Sequence, residues 1–245
     1  MMRPGLSIGS RGYDYDKWEG VFYPVGLPPA KRLDFYAERC GTVLIQKTFR
    51  GLPEVDEVKF WEDSTPESFR FTFVAPAEIA TTHQLAGPGA VAAVERFLDR
   101  VRPLQRRLGA IIHVVPRPMR LHVSRIDEFL ASIPRDVQHT LEFSATEWFV
   151  DRTREALERR DAGFSIHDNP DCVAPWWVTA DHVVIRRYGA LGKGEGKYTS
   201  DEVVRVAHRI HEDVRPEKTV YLYFENDQQG FACEHALLAR DLLVD

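Results

Sequence analysis

The chain has 245 residues, 44% of them hydrophobic, with a formal net charge of −5 and a sequence pI near 6.0. This length and apolar content suit one large core, so we expect a single domain over residues 1–245. No run reaches the roughly 20 apolar residues of a membrane span, no secretory signal precedes the first strand, and the acidic balance disfavours a globally basic nucleic-acid binder, so we expect a cytoplasmic protein.

Short runs rich in Ile, Val, Phe and Tyr recur along the chain, and segments of helical spacing separate most of them, which indicates parallel βα units. Strands are predicted at residues 6–9, 42–49, 69–74, 110–115, 139–143, 163–167, 182–188 and 219–224. Helices are predicted at residues 29–40, 55–63, 88–108, 124–132, 147–160, 200–212 and 230–243. Eight strands in near-complete alternation favour a single (β/α)8 barrel of TIM type. A doubly wound open sheet is the main alternative, since local patterns do not show closure.

The sixth unit departs from the alternation. Residues 170–181 are too short and too rich in proline for a full helix, so the barrel is predicted to have a truncated sixth unit. Trp176 and Trp177 lie in this segment. An aromatic pair of this kind is typical of an anchor for a protein partner, and the alternative is that the pair plugs the bottom of the barrel.

Familiar metal and nucleophile motifs are missing. Cys40, Cys172 and Cys233 are widely spaced and form no CxxC pair, and neither HExxH nor GxSxG occurs. The sequence therefore predicts no metal site and identifies no cofactor. His113 lies among apolar residues of the fourth strand, where a histidine is more often a core residue than a ligand.

Functional groups of such a barrel cluster where the strands end, so the carboxylates there are the candidates for catalysis. Glu142 lies late on the fifth strand, Asp168 follows the sixth and Glu225 follows the eighth. Glu142 with Glu225 or Asp168 has the composition of an acid and base pair. The structural alternative is that these residues cap helices and pair with Arg186.

Cations, amides and aromatic residues at the same end are the candidates for ligand binding. Those predicted are Arg11, Tyr13, Trp18, Gln46, Lys47, Arg50, Trp148, Arg186, Tyr188 and Asn226. Residues 189–197 add a glycine-rich loop with two lysines, of the kind that binds phosphate in barrels or simply moves at the surface. It contains no P-loop motif.

The chain resembles the YecE-like family, domain of unknown function 72. The opening block that carries the resemblance reads IGSRGYDYDKWEGVFYPVGLPPAKRLDFYAERCGTV, followed by LPEVDEVKFWEDSTPESFRFTFVAP, LEFSATEWF, TADHVVIRRYG and YLYFENDQQGFACEHA. The resemblance implies a TIM-type barrel and supplies no activity, although the barrel is similar to those of endonuclease IV and xylose isomerase.

Several polar positions depart from the family pattern. The family usually carries Lys, Gln, Arg, His and His where this chain has Val74, Val114, Ser144, Ala145 and Tyr188. The resemblance therefore implies different chemistry from its relatives or none. The retained residues expected around one cavity are Glu142, Trp148, Arg186, Asn226 and Gly230.

Three functions remain open at this point. The first is a non-catalytic barrel that binds a phosphorylated small molecule or nucleic acid through cations, namely Arg11, Lys47, Arg50, Arg117, Arg186, Lys193 and Lys197. The second is a hydrolytic enzyme, phosphodiesterase-like by analogy of fold, that uses Glu142 with Glu225 or Asp168. The third is a role in binding a protein partner.

Overall fold

Eight parallel strands close into a barrel. The structure, a computed structural model, describes residues 5–243, and within them each strand pairs with the next along the chain while the eighth pairs with the first. The prediction of a closed (β/α)8 barrel is therefore confirmed. The strands are β1 Leu6–Arg11, β2 Thr42–Ile45, β3 Arg70–Val74, β4 Leu108–Val115, β5 His139–Phe143, β6 Gly163–His167, β7 His182–Arg187 and β8 Thr219–Phe224.

Helices surround the barrel and cover most of its outer face. They are α1 Arg32–Ala37, α2 Val55–Asp63, α3 Glu78–Thr81, α4 Gly87–Val101, α5 Val123–Ser132, α6 Asp151–Arg160, α7 Ser200–Asp213 and α8 Phe231–Leu243. The start of α7 follows directly from its sequence. The Thr199 side chain accepts from the Glu202 backbone, and the Glu202 carboxylate accepts from the Thr199 backbone, which forms a capping box.

Several predicted elements were too long: α1 covers only Arg32–Ala37 of the predicted 29–40, α6 begins at Asp151 rather than at residue 147, and two further elements end early. Strand β2 ends at Ile45, not at residue 49, because Lys47–Arg50 curl into a 3-10 turn. The helix predicted to reach residue 108 ends at Val101, and Arg102–Arg107 form a 3-10 segment with Gln105 at φ 51°. That segment contains a proline, which cannot donate the backbone hydrogen bond that a continuing helix needs. The short helix α3 was not predicted.

The core has two parts. A small cluster fills the barrel itself, and a larger one lies between the strands and the helices. Alternate residues of each strand point to opposite faces, so both faces of every strand must be covered. The residues of the inner cluster are Leu44, Val74, Ala110, Ile112, Val184, Tyr221 and Tyr223.

No helix lies between β6 and β7 in the described chain. Residues 168–181 instead cross the outer surface as an extended strap. Trp177 packs against Phe164 on the outer face of β6, with ring centroids 4.9 Å apart, so the tryptophan pair does not plug the bottom of the barrel. Beside Trp176 a groove of about 620 Å³ runs along α7.

Among residues 5–243, no helix has the length and apolar character needed to cross a membrane.

Candidate functional site

A guanidinium held between two carboxylates lies at the centre of the barrel mouth. Arg186 on β7 donates from Nη1 to Oε2 of Glu142 on β5 at 2.6 Å, and from Nε to Oε1 of Glu225 at 2.5 Å. The three side chains are at most 7% exposed. Arg186 faces inward because it lies two residues after Val184, which belongs to the inner cluster. We refer to Glu142, Arg186 and Glu225 as the central cluster.

Both carboxylate oxygens of Glu142 are occupied. Oε2 also accepts from Ser165 Oγ at 2.8 Å, and Oε1 accepts from the Tyr188 hydroxyl at 2.9 Å. Burial by itself would raise the pKa of Glu142, but Arg186, His167 and Ser165 together outweigh it and hold that pKa below its ordinary value, with the charge of Arg186 the largest of the opposing effects. The group is therefore ionised near neutral pH, where it has no proton to donate as a general acid.

Alternating charges continue from the central cluster towards solvent. Arg11 Nη1 lies 3.6 Å from Glu225 Oε2, Arg11 Nη2 lies 3.5 Å from Asp227 Oδ2, and Lys17 Nζ lies 3.0 Å from Asp227 Oδ1. With the central cluster these side chains form a row of three carboxylates and three cations, which is formally neutral. Two atoms of the row, Arg186 Nη2 and Glu225 Oε2, are buried without a hydrogen-bond partner in residues 5–243.

Beside Arg11, over β1 and β2, a pocket of about 900 Å³ opens at the barrel mouth. One wall is the loop after β1, which Gly12 ties to β2 by donating its backbone N–H to the Leu44 carbonyl at 2.9 Å. This volume lies within the usual range for small-molecule sites. We call it the mouth pocket, and its lining residues are Arg11, Gly12, Tyr13, Asp14, Tyr15, Ile45, Gln46, Lys47, Phe49, Arg50, Glu57, Trp61 and Asp227.

The opposite wall is the turn Lys47–Arg50. Its conformation follows from Thr48, whose hydroxyl donates to the Val74 carbonyl at 2.6 Å and so holds the turn against β3. Phe49 then packs on the inner cluster, while Lys47 and Arg50 extend into solvent at the pocket rim. The same turn that shortens β2 therefore places two cations at the mouth pocket.

Aromatic side chains form the floor of the mouth pocket. Trp61 on α2 is fully buried and stacks on Phe71 with ring centroids 5.6 Å apart. Its Nε1 donates to the Tyr13 hydroxyl at 3.2 Å, and the Tyr23 hydroxyl donates to the Tyr13 carbonyl. Tyr13 is thus held at its hydroxyl and at its backbone carbonyl. Burial raises the pKa of Tyr13, so the phenol is neutral at physiological pH.

The cations of the pocket differ in how far they are neutralised. Lys47 pairs with Glu57 and lies 5.4 Å from the centre of the Trp61 ring, and partial burial lowers its pKa. Asp14 pairs with Arg32 outside the pocket at 2.7 Å. Arg50 is exposed and forms no ion pair within residues 5–243. Since each lining carboxylate already has a cationic partner, Arg50 is the cation left to meet a ligand.

Asp168 has different hydrogen-bond partners from the other predicted carboxylates. It accepts from the Tyr188 backbone at 2.7 Å and from the Tyr198 hydroxyl at 2.6 Å, and Arg187 lies 3.2 Å away. The glycine-rich loop between Tyr188 and Tyr198 satisfies much of its own backbone, as when Gly194 donates to the Tyr188 carbonyl at 2.6 Å. These contacts give Asp168 and the loop N–H groups a role in fastening the loop.

Three predicted ligand-binding residues lie in the packed scaffold. Trp18 is fully buried and donates from Nε1 to the Asp227 carbonyl at 2.8 Å. Trp148 stacks on Phe143 with centroids 4.9 Å apart, and Asn226 donates to the Gly196 carbonyl at 2.8 Å. None of the three lines the mouth pocket.

The remaining predicted residues fall into two groups. The structure brings Arg11, Tyr13, Gln46, Lys47 and Arg50 together in the mouth pocket, and Glu142, Arg186, Tyr188 and Glu225 at the barrel centre. The cations Arg117, Lys193 and Lys197 do not line the mouth pocket.

Sequence reasoning missed Glu57, Trp61 and Ser165. The first two lie on α2, where an aromatic residue at helical spacing indicates core packing rather than a site. Ser165 could have been found from its position in β6. It lies two residues before His167, and alternate residues of a strand point to the same face, so a polar side chain there marks the barrel interior. In residues 5–243, no three His, Cys, Asp or Glu side chains form a group able to hold a metal ion.

Comparisons with known proteins agree with this architecture. The model of a family described as protein of unknown function DUF72 matches residues 7–245. UPF0759 protein YecE of Escherichia coli K12 is 29% identical over 156 residues, which are 63% of this chain and 54% of that protein. The match thus spans about half the length of this curated relative.

Two solved structures share the fold over nearly their whole length. A DUF72 family protein of Thermotoga maritima MSB8 has a TM-score of 0.85 at 22% identity, covering 98% of this chain and 99% of the other. A DUF72 family protein of Enterococcus faecalis V583 has a TM-score of 0.81 at 18% identity, covering 97% and 95% respectively. At these identities the likeness establishes the fold.

Proposed function

Because the chain belongs to the DUF72 family, whose function is unknown, we propose from its own residues that it is a non-catalytic barrel that binds a phosphorylated small molecule in the mouth pocket. One observation carries the proposal. Arg50 stands unpaired at the rim of a pocket of about 900 Å³, beside Lys47 and above a fixed aromatic floor. An unpaired guanidinium at a concave site is suited to a phosphate group, which it binds through two parallel hydrogen bonds.

The central cluster supports binding over catalysis. Glu142 and Glu225 both accept hydrogen bonds from Arg186, and neither side chain is more than 7% exposed. A general acid or base must reach the proton that it transfers, and the protonation of Glu142 is already fixed by its neighbours. Asp168, the alternative partner of Glu142, is engaged with Tyr198 and Arg187.

The number of free cations favours a small ligand over nucleic acid. A nucleic-acid backbone carries a phosphate at every nucleotide and is bound by a row of Lys and Arg side chains. Around the mouth pocket Arg11 and Lys47 are engaged with carboxylates, so Arg50 is the free cation. The pocket is therefore matched to a ligand with one phosphate.

Isothermal titration calorimetry with ribose 5-phosphate, nucleoside monophosphates and a short single-stranded DNA tests the proposal. We expect a phosphorylated small molecule to bind and Arg50→Ala to weaken it by about tenfold or more, since a charge-assisted hydrogen bond is removed. Arg152→Ala, which removes an exposed arginine from α6, is the matched control and should leave the affinity unchanged.

Two outcomes would contradict the proposal. If no phosphorylated compound binds, or if Arg50→Ala and Lys47→Ala both leave the affinity unchanged, the mouth pocket is not a phosphate site. The hydrolytic alternative rests on the two carboxylates beside Arg186, and it would be favoured if a phosphodiester is turned over by the wild type and not by Glu142→Gln.

A further inference from the structure

The lining of the mouth pocket is rich in aromatic rings. Tyr13, Tyr15, Phe49 and Trp61 all border it, and the first three are partly exposed. Aromatic rings that keep an open face to a polar pocket can stack on a planar ligand, and this stacking is seen in sites that hold single nucleobases.

The rings are held in place before any ligand arrives. Trp61 packs on Phe71 and in turn positions the Tyr13 hydroxyl. The position of Phe49 is set by the neighbouring Thr48, whose hydrogen bond to β3 holds the turn that contains both residues. Tyr15 donates its hydroxyl to the Arg11 carbonyl at 2.6 Å. A platform of fixed rings loses little conformational entropy on binding, so its area is available for stacking.

Resting on the proposed function, we propose that the phosphorylated ligand is a nucleoside monophosphate. Its base packs against the Tyr13 and Phe49 rings, and its phosphate binds at Arg50 and Lys47. The pocket lining favours one phosphate over two or three, because its other cations are paired with carboxylates and Arg50 alone is left to neutralise added negative charge. The lining carboxylates also offer acceptors for the ribose hydroxyls and the amino groups of a base.

A nucleoside monophosphate differs from a sugar phosphate in one way that binding measurements can detect. A sugar phosphate uses the cations but has no base, so the difference in affinity between the two ligands reports the contribution of the base, and loss of that difference on removing the rings assigns it to stacking. Base stacking on an aromatic side chain is worth roughly tenfold in affinity. The wild type is therefore expected to bind its preferred nucleoside monophosphate roughly tenfold more tightly than ribose 5-phosphate.

The test is calorimetry with adenosine, guanosine, cytidine and uridine monophosphates, ribose 5-phosphate and inorganic phosphate. In the double variant Tyr13→Leu, Phe49→Leu we expect the nucleotide advantage to vanish while the affinity for ribose 5-phosphate is kept. Tyr13→Phe is the matched control, since it keeps the ring and removes the hydroxyl, and it should retain the advantage. Retained ribose 5-phosphate binding also shows that each variant is folded.

The possible failures are distinct. If ribose 5-phosphate binds as tightly as every nucleotide to the wild type, the nucleotide assignment is overturned while the phosphate site stands. If the Leu variant keeps the full nucleotide advantage, the base does not stack on these rings and the assignment is overturned as well. If neither class of ligand binds, the proposed function fails together with the inference.

Discussion

The central cluster and the mouth pocket contain the same kinds of charged residue in opposite situations. In the central cluster, Arg186 is 1% exposed and Glu225 is fully buried, and each charge touches an opposite one. At the pocket rim, Lys47 is 58% exposed although it pairs with Glu57, and the exposed Arg50 has no ionic partner in the described chain. The difference separates charges that hold the barrel mouth together from charges that are free to meet a ligand, and stability measurements can test that separation.

The largest effect is expected from Arg186→Met. This change leaves Glu142 and Glu225 buried without their shared cation, and removing one partner of a buried ion pair typically costs about 3–5 kcal/mol. The free energy of unfolding in urea measures it. Arg50→Met is the matched control and should change stability by less than about 0.5 kcal/mol. Equal losses of unfolding free energy in the two variants would show that the charges of the two regions do not differ in their contribution to stability.

Buried polar groups outside the barrel mouth extend the comparison. His139 donates from Nε2 to the Pro134 carbonyl at 2.8 Å, so its Nδ1 carries no proton and accepts from His113 Nε2 at 3.0 Å. His113 Nδ1 is then a bare, buried nitrogen with no partner in residues 5–243. Burial lowers the pKa of His139 to about 4 and holds the pKa of His113 well below its ordinary value.

The stability of the fold should therefore fall as the pH falls. Because the folded-state pKa of His139 lies below the unfolded value of about 6.5, its contribution is present above pH 6.5 and is lost as the pH drops towards 4. We expect His139→Gln to reduce the loss of unfolding free energy between pH 7 and pH 5 by roughly 2 kcal/mol. His211→Asn, on the exposed face of α7, should keep the wild-type pH dependence. An unchanged slope in His139→Gln would show that folding does not lower the pKa of this histidine.

The smallest effect concerns the boundary between the two regions. Gly194 has φ +83°, and a Cβ there would lie 3.1 Å from both Arg11 Nη2 and the Glu225 carbonyl oxygen. Gly26 has a similar φ of +79°, and a Cβ there would meet no atom of residues 5–243 beyond its chain neighbours within 4 Å, so Gly26→Ala measures backbone strain alone, about 1 kcal/mol. We expect Gly194→Ala to cost about 1 kcal/mol more in urea unfolding, if the loop and Arg11 are rigidly packed. Equal costs would mean that the loop yields without disturbing Arg11.

The sequence predicts the fold better than it predicts the ends of the elements. Runs such as residues 139–143 and 163–167 were predicted with their observed bounds, because buried parallel strands are continuously apolar. The end of β2 was missed because it depends on a hydrogen bond from Thr48 to β3, a contact between residues far apart in sequence. Local propensity does not contain that information.

The candidate site shows the same limit. Its location at the strand ends was predicted, since all parallel strands of a barrel end on one side. Which carboxylate meets Arg186 depends on the order and stagger of strands around the barrel. Glu142 and Glu225 reach it, and Asp168, although it follows the strand next to β7, turns to Tyr198 instead. The pocket floor came from α2, whose Trp61 has the pattern of an ordinary core residue.

The extended strap over β6 and β7 has a consequence for how the barrel opens. Helix α7 packs against α8 on one side, and within residues 5–243 no comparable contact joins it to α6. Regions with fewer packed neighbours open locally at a lower free energy than the whole fold. The hydrogen bonds between β6 and β7 are thus covered on the outside by the strap rather than by a helix. We expect their backbone amides to exchange with solvent before those between β1 and β8.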